Sequence, residues 1–283
     1  MTCSGFPRYP RYCYKVRYFV CLSPFAADTW QTWEMRISAI VKRMTYVIVL
    51  FLIGPLLVVA CGKVNFSRDW QNADRSSQNI APLPHAELEA VVQVYAARAF
   101  SWRGIFAVHT WIATKPRGAA QYTVHQVIGW REWQQRRVVV SDEDAPDRSW
   151  YGNPPELLVD IRGERAEQLI PEIVTATTTY PYQYSYTLWP GPNSNTFIAH
   201  VARAVPALRL ELPTTAIGKD YLNNGSLFDR APSGTGWQFS LFGLAGVTLA
   251  REEGFELNLM SANFGIDPLD LAIKLPGIGR LGF

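Results

Sequence analysis

Ser194 sits in the stretch Gly191-Pro192-Asn193-Ser194-Asn195-Thr196-Phe197. Pro192 and Asn193 favour a turn, a Ser or Asn then supplies an N-cap oxygen, and Phe197, Val201, Ala204 and Val205 recur at helical spacing. The pattern predicts Ser194 at a helix N-terminus. There, unpaired amide N–H groups and the positive end of the helix dipole favour negative charge, which suits a nucleophile or an oxyanion. The plainer alternative is a hydroxyl that only caps the helix. Two histidines fall on segments that read as one hairpin: His109 in residues 105–114 and His125 in residues 122–130, joined through Lys115-Pro116-Arg117-Gly118. Each is flanked by apolar residues, so each can serve a site or be a satisfied strand histidine. His200, six residues after Ser194, reads as structural or exposed, and His85 as a linker residue.

The elements that must position these residues make a β-rich body. The chain has 283 residues, 48% hydrophobic and 18% charged, with ten Trp, which excludes a disordered or coiled-coil protein and points to large aromatic core residues. Strands are expected at 90–98, 105–114, 122–130 and 157–161, and a helix from Ala166 to about Thr178 that Pro171 should kink or shorten. Residues 131–160 read otherwise as variable surface. From Gln238 the apolar, Gly-punctuated chain suggests two or three hairpin strands that either pack on the main sheet, the favoured reading, or lie against a membrane. The fold class is α+β: an antiparallel sheet packed on the helix bearing Ser194, with an N-terminal anchor or signal segment.

Met44 to Cys61 holds eighteen residues without a charge, directly after Lys42-Arg43, and reads as a signal sequence or membrane span. The positive flank predicts a cytoplasmic N-terminal side and an exported body. Val58-Val59-Ala60-Cys61-Gly62 resembles a bacterial lipobox, with Cys61 as the lipidated residue; an uncleaved anchor and simple secretion are the alternatives. The domain plan is a doubtful basic leader at 1–43, the apolar segment at 44–62, a polar linker at 63–90 and one α+β domain at 90–283. Residues 1–34 look unlike an export signal, and Met35 or Met44 would make a better start than Met1. Residues 1–43 carry seven Lys and Arg against two acids, which leaves the rest of the chain at −2, without a nucleic-acid signature. All four cysteines lie at or before Cys61, so the body has no disulfide, thiolate metal site or Cys nucleophile. No recognised metal-ligand spacing and no cofactor motif is present, and Lys219-Asp220 reads as a solvated pair.

Two stretches together resemble a known group. Val108-His109-Thr110-Trp111-Ile112, and later Asn193-Ser194-Asn195-Thr196-Phe197, look like the His strand and the Asn-Cys-Asn-x-Phe helix of the PPPDE group of permuted papain-fold peptidases, which includes deSUMOylating isopeptidases. More loosely they are similar to the lecithin:retinol acyltransferase and NlpC-type families, and the resemblance covers roughly residues 90–205. Trp189–Phe197, Pro213–Tyr221 and Pro232–Leu244 also look like an uncharacterised bacterial family with no assigned function. The resemblance implies a permuted papain-like fold and a catalytic Ser194 and His109, with His125 or Gln126 orienting the imidazole. The Ser194 amide and the side chain of Asn193 or Asn195 would receive the oxyanion. It also marks a departure, since Ser194 stands where those families have the nucleophilic Cys, and a hydroxyl must lose its proton to the base during attack. The implied activity is a Ser-dependent hydrolase or acyltransferase acting on an amide or ester of the cell envelope. A non-catalytic envelope domain binding peptide, glycan or lipid, and a structural lipoprotein, are the alternatives.

Overall fold

The computed structural model describes residues 24–67 and 69–282, so Cys3, Cys13 and Cys21 lie outside the described residues. Helix α1 spans Pro24–Ala60. Among the described residues, those up to Ile48 belong to one unit and those from Val49 onward to a second, compact one.

A five-stranded antiparallel sheet carries the first half of that second unit. Its strands are β1 (Val91–Arg98), β2 (Val108–Lys115), β3 (Thr123–Val127), β4 (Val139–Glu143) and β5 (Pro155–Arg162), in the order β4-β3-β2-β1-β5. The β-branched runs of β1 and β2 are buried on both faces, as expected of central strands. Helices α2 (Glu164–Thr179) and α3 (Ser194–Ala204) cover one face. Leu169, Ile173 and Ala176 on α2 and Phe197, Ile198 and Val201 on α3 recur at helical spacing and meet Val92, Val94, Ile112 and Val127 of the sheet. Each such side chain, fully buried, stabilises by roughly 2 kcal/mol.

The other face buries Val91, Tyr95, Trp111 and Tyr122 beneath Ala81 and Trp150. Part of the polar linker at 63–90 is fastened here. Asp147 accepts hydrogen bonds from the Ser77 hydroxyl and from the amides of Ile80 and Ala81, and Tyr122 donates to the carbonyl of Pro82. Helix α2 continues past Pro171 to Thr179, where the sequence led us to expect a kink or a shortened helix. Strand β4 falls inside the stretch read as surface. Its two apolar residues, Val139 and Val140, give way at once to Ser-Asp-Glu, the pattern of an exposed edge strand.

The C-terminal chain departs most from expectation. In place of two or three strands it builds a seven-stranded meander in sequential order: β6 (Phe228–Arg230), β7 (Gly236–Leu241), β8 (Ala245–Ala250), β9 (Gly254–Leu259), β10 (Ala262–Asp267), β11 (Ala272–Leu275) and β12 (Gly279–Gly282). Its apolar residues do not pack on the first sheet, as was favoured. The alternation is reversed: the polar residues Gln238, Thr248, Glu256, Asn258, Asn263 and Lys274 are buried, and their apolar neighbours face outward.

The buried side is held by a charge network. The Lys219 ammonium pairs with Glu256, and Lys274 Nζ lies 3.1 Å from the other Glu256 oxygen. Burial disfavours the Lys219 charge, but Glu256 and Asp220 outweigh it and hold the ammonium above its ordinary range. Asp220 accepts from Gln238 Nε2 at 2.5 Å and Asn263 Nδ2 at 2.8 Å. Lys219 and Asp220 are therefore buried connectors between the loop before this sheet and its strands, not a solvated pair. Removing the shared anion should leave Lys219 with Asp220 and Lys274 with Glu211 as their remaining counter-charges, both ammonium groups short of an acceptor in a buried setting. Glu256→Ala is expected to lower unfolding free energy by about 3–5 kcal/mol in denaturant titrations, and an unchanged midpoint would contradict the network.

Candidate functional site

Ser194 is the first residue of α3, and its neighbours are committed to holding it there. Asn193 caps the helix: its Oδ1 accepts the amides of Asn195 (2.9 Å) and Thr196 (3.2 Å), while Thr196 Oγ1 accepts the Asn193 amide at 3.1 Å, a reciprocal capping box. Asn193 Nδ2 donates to the carbonyls of Leu188 (3.1 Å) and Ile217 (3.0 Å). Asn195 Nδ2 donates to Val108 O (3.0 Å) and Ile217 O (2.7 Å), and its Oδ1 accepts from Thr110 Oγ1 at 2.9 Å. Thr196 Oγ1 donates to Gly218 O at 2.8 Å. The loop at Ile217-Gly218 thus meets both asparagines. Gly218 has φ +105°, and a Cβ there would lie 2.3 Å from the Asn193 amide, so no other residue fits without displacing the cap.

Both asparagines are spent on structure. Each N–H of their side chains already has an acceptor, so the oxyanion role expected of Asn193 or Asn195 is not open to either. Ser194 differs. Only 7% exposed, it has no hydrogen-bond partner for its hydroxyl or its backbone N–H among the described residues. That amide is the donor left for an oxyanion.

His109 is 6% exposed, with Nε2 3.2 Å from Gln126 Oε1. An amide oxygen only accepts, so Nε2 carries the proton and Nδ1 keeps its lone pair, without a partner among the described residues. The ring lies flat on Trp150, centroids 3.6 Å apart and planes 12° from parallel. Trp150 continues into an aromatic cluster with Trp130 and Tyr151, and the Arg75 guanidinium sits 4.5 Å above the Tyr151 ring. Burial pushes the His109 pKa down to about 4, against the Gln126 bond, which favours the proton.

His125 stands opposite Ile112 in the register, on the helix-covered face, whereas Gln126 and His109 share the other. Its ring bonds to Thr114 Oγ1 (3.1 Å) and Ser141 Oγ (2.8 Å). Of the two residues proposed to orient His109, the strand register therefore supplies Gln126, and His125 is a buried connector of three strands. Burial brings its pKa to about 4 as well. His200 bridges Ala176 O and Asn223, apart from this cluster. The Trp150 stack lay beyond sequence reasoning, because Trp150 follows a stretch without periodicity.

Residues 89–221 match the family model described as protein of unknown function (DUF3750). The matched span holds His109, Gln126, Ser194 and the Ile217-Gly218 loop, and stops short of α1 and the second sheet. No curated protein and no solved structure matches the chain.

The two buried rings set a pH dependence. Unfolded histidine takes up a proton near pH 6.5, whereas these rings do so near pH 4 in the folded chain, so the unfolded state binds more protons between those values. Stability should fall as pH drops through that window, by about 1.4 kcal/mol per pH unit and ring. His125→Gln is expected to flatten the slope of unfolding free energy between pH 6.5 and 4 relative to wild type; equal slopes would contradict a neutral buried His125.

Proposed function

We propose that residues 89–221 carry an acyl-transfer centre of permuted papain-like type, with Ser194 as nucleophile, His109 as general base and Gln126 as the residue that holds the imidazole. One observation supports it most. In the first turn of α3 and the strand facing it, Asn193, Asn195, Thr196 and Thr110 are all hydrogen-bonded, and the unpaired groups are the Ser194 hydroxyl and His109 Nδ1. Asn195 brings their segments together by bonding Val108 and Thr110, the residues on either side of His109. The unpartnered Ser194 N–H adds an oxyanion donor beside the Ser194 hydroxyl.

In this reading the His109 ring turns from Trp150 toward α3, and Ser194 Oγ then attacks the carbonyl carbon of an amide or ester as its proton passes to His109 Nδ1. The imidazolium then gives that proton to the departing amine or alcohol. Water or a second acceptor, deprotonated by the same nitrogen, cleaves the acyl-Ser194 ester and restores the hydroxyl. With a pKa near 4 the ring is neutral and able to accept at pH 7. Gln126 contributes no negative charge to steady the imidazolium, so turnover should be slow. The substrate class is a cell-envelope amide or ester.

A second reading, a non-catalytic domain binding peptide, glycan or lipid, also has an observation in its favour. No hydrogen bond joins Ser194 to His109, and alternation along β2 turns Thr110 toward α3 and His109 toward Trp150.

Helix α1 contains Arg36–Ala60, which by length and composition can cross a membrane. We read it as a retained anchor that keeps the body on the extracytoplasmic side. Gly54, Pro55 and Val58 are buried, and a Cβ on Gly54 would meet Pro276 O at 1.9 Å, contacts that cleavage before Cys61 would forfeit. Cys61 itself is exposed and open to lipid if cleavage occurs.

A fluorophosphonate probe applied to the full chain in membranes should label Ser194. Labelling should be lost in Ser194→Ala and slowed by about 10²–10⁴-fold in His109→Ala. A folded wild-type protein that stays unlabelled would support the binding reading. Mass spectrometry of the same sample reports the N-terminus, and a chain beginning at a lipidated Cys61 would overturn the retained anchor.

A further inference from the structure

The outward face of the seven-stranded sheet is apolar across its whole width. Trp237, Phe239, Leu249, Phe255, Ile266 and Ile273 are 42–66% exposed, each at an outward position of its strand. Register puts Asp229, Glu256, Asp267 and Lys274 on the buried side, so Arg230 is the one charged residue at an outward strand position. A patch of this extent on a soluble surface would be an aggregation hazard. Nor is it explained by a core turned inside out through error of pattern, because the opposite face is a hydrogen-bonded ionic network.

Helix α1 gives the face its setting. Phe51 packs edge-on against Phe264, an outward residue of β10, with ring centroids 5.0 Å apart. Pro55 lies against Gly277 in the β11–β12 turn, where a Cβ on the glycine would fall 2.8 Å from the proline nitrogen. Phe51 precedes the end of α1 at Ala60 by nine residues, about 14 Å along a helix axis. One leaflet of a bilayer core is about 15 Å thick. Whatever packs on Phe51 therefore lies at the depth of acyl chains when α1 spans the membrane.

We propose that the outward face of this sheet is embedded in the lipid leaflet beside α1, making it a second membrane element of the chain; the proposal rests on the reading of α1 as a retained span. The backbone is compatible with it. Strand pairing satisfies the backbone of the central strands, which leaves open edges at β6 and β12 that must lie outside the hydrocarbon. Of these edges, β6 carries Arg230 on the outward face, suited to headgroups, whereas Arg280 of β12 shares the buried side with Lys274 and pairs with Glu211, Asp267 and Asp270. Arg230 lies 5.1 Å from the Trp237 ring centroid, a cation–aromatic pair of the kind found at membrane interfaces. The domain that holds Ser194 would then be docked on the bilayer surface and not suspended above it.

The test uses the full chain with Cys3, Cys13, Cys21 and Cys61 each changed to Ser, carrying one new cysteine labelled with the fluorophore NBD in vesicles of phosphatidylethanolamine and phosphatidylglycerol. Leu249→Cys, Phe255→Cys and Ile273→Cys report the sheet, Val47→Cys reports α1, and Glu172→Cys on exposed α2 reports water. The sheet labels and Val47→Cys should emit at shorter wavelength and be quenched severalfold by doxyl lipids, with Glu172→Cys unaffected. Sheet labels that behave like Glu172→Cys while Val47→Cys is quenched would overturn the embedded sheet and leave the anchor standing. Blue-shifted sheet labels that doxyl lipids do not quench would assign the face to a second copy of the chain, which also overturns it. Unquenched Val47→Cys would remove the anchor and the proposal together.

Discussion

The structure around Ser194 depends on two buried amides. Asn193 and Asn195 each give both side-chain N–H groups to backbone carbonyls, and they share one acceptor, Ile217 O. Through that carbonyl, the start of α3, the N-terminal end of β2 and the loop before the second sheet become one object. The cost of leaving any of these buried groups unpaired, about 1–3 kcal/mol each, makes the arrangement all-or-none. Gly218 follows from it, since only a residue without Cβ lets the loop approach Asn193. A rigid scaffold in which one hydroxyl and one ring nitrogen stay unpaired is what a reactive site requires.

A second constraint organises the rest of the chain. Glu256 sits between Lys219 and Lys274, and Lys219 belongs to the same loop as Ile217 and Gly218. The loop that positions Ser194 on one side is therefore tied on its other side into the polar face of the second sheet. With its polar groups paired inward, that sheet presents mainly apolar side chains outward, and Phe51 packs against the same face. The second sheet and the candidate site are joined by residues 217–220.

Much of the first sheet was legible because its local signals agree with its packing. The β-branched runs of β1 and β2, the Lys115–Gly118 turn and the Pro-Asn-Ser cap of α3 each mean locally what they mean in the fold. The second sheet was not. Gln238, Thr248 and Asn258 alternate with large apolar residues, and a period of two does not say which face is wet. Lys219 and Asp220 were misread for a related reason, since burial of a charged pair depends on partners some forty residues away in the chain. The choice of Gln126 over His125 was fixed by strand register, and Asn193 and Asn195 looked like free donors until the carbonyls of Val108 and Ile217 arrived from distant segments.

The central claim is that Asn195 is structural and Ser194 is free to react, and side-by-side unfolding of Asn195→Ala and Ser194→Ala tests it most directly. Asn195→Ala strips partners from Val108, Thr110 and Ile217 and should cost about 3–5 kcal/mol. Ser194→Ala removes a hydroxyl that bonds to nothing and should leave stability unchanged or slightly raised. If Ser194→Ala destabilises the protein as much as Asn195→Ala, the hydroxyl is part of the scaffold and the account of the site is wrong.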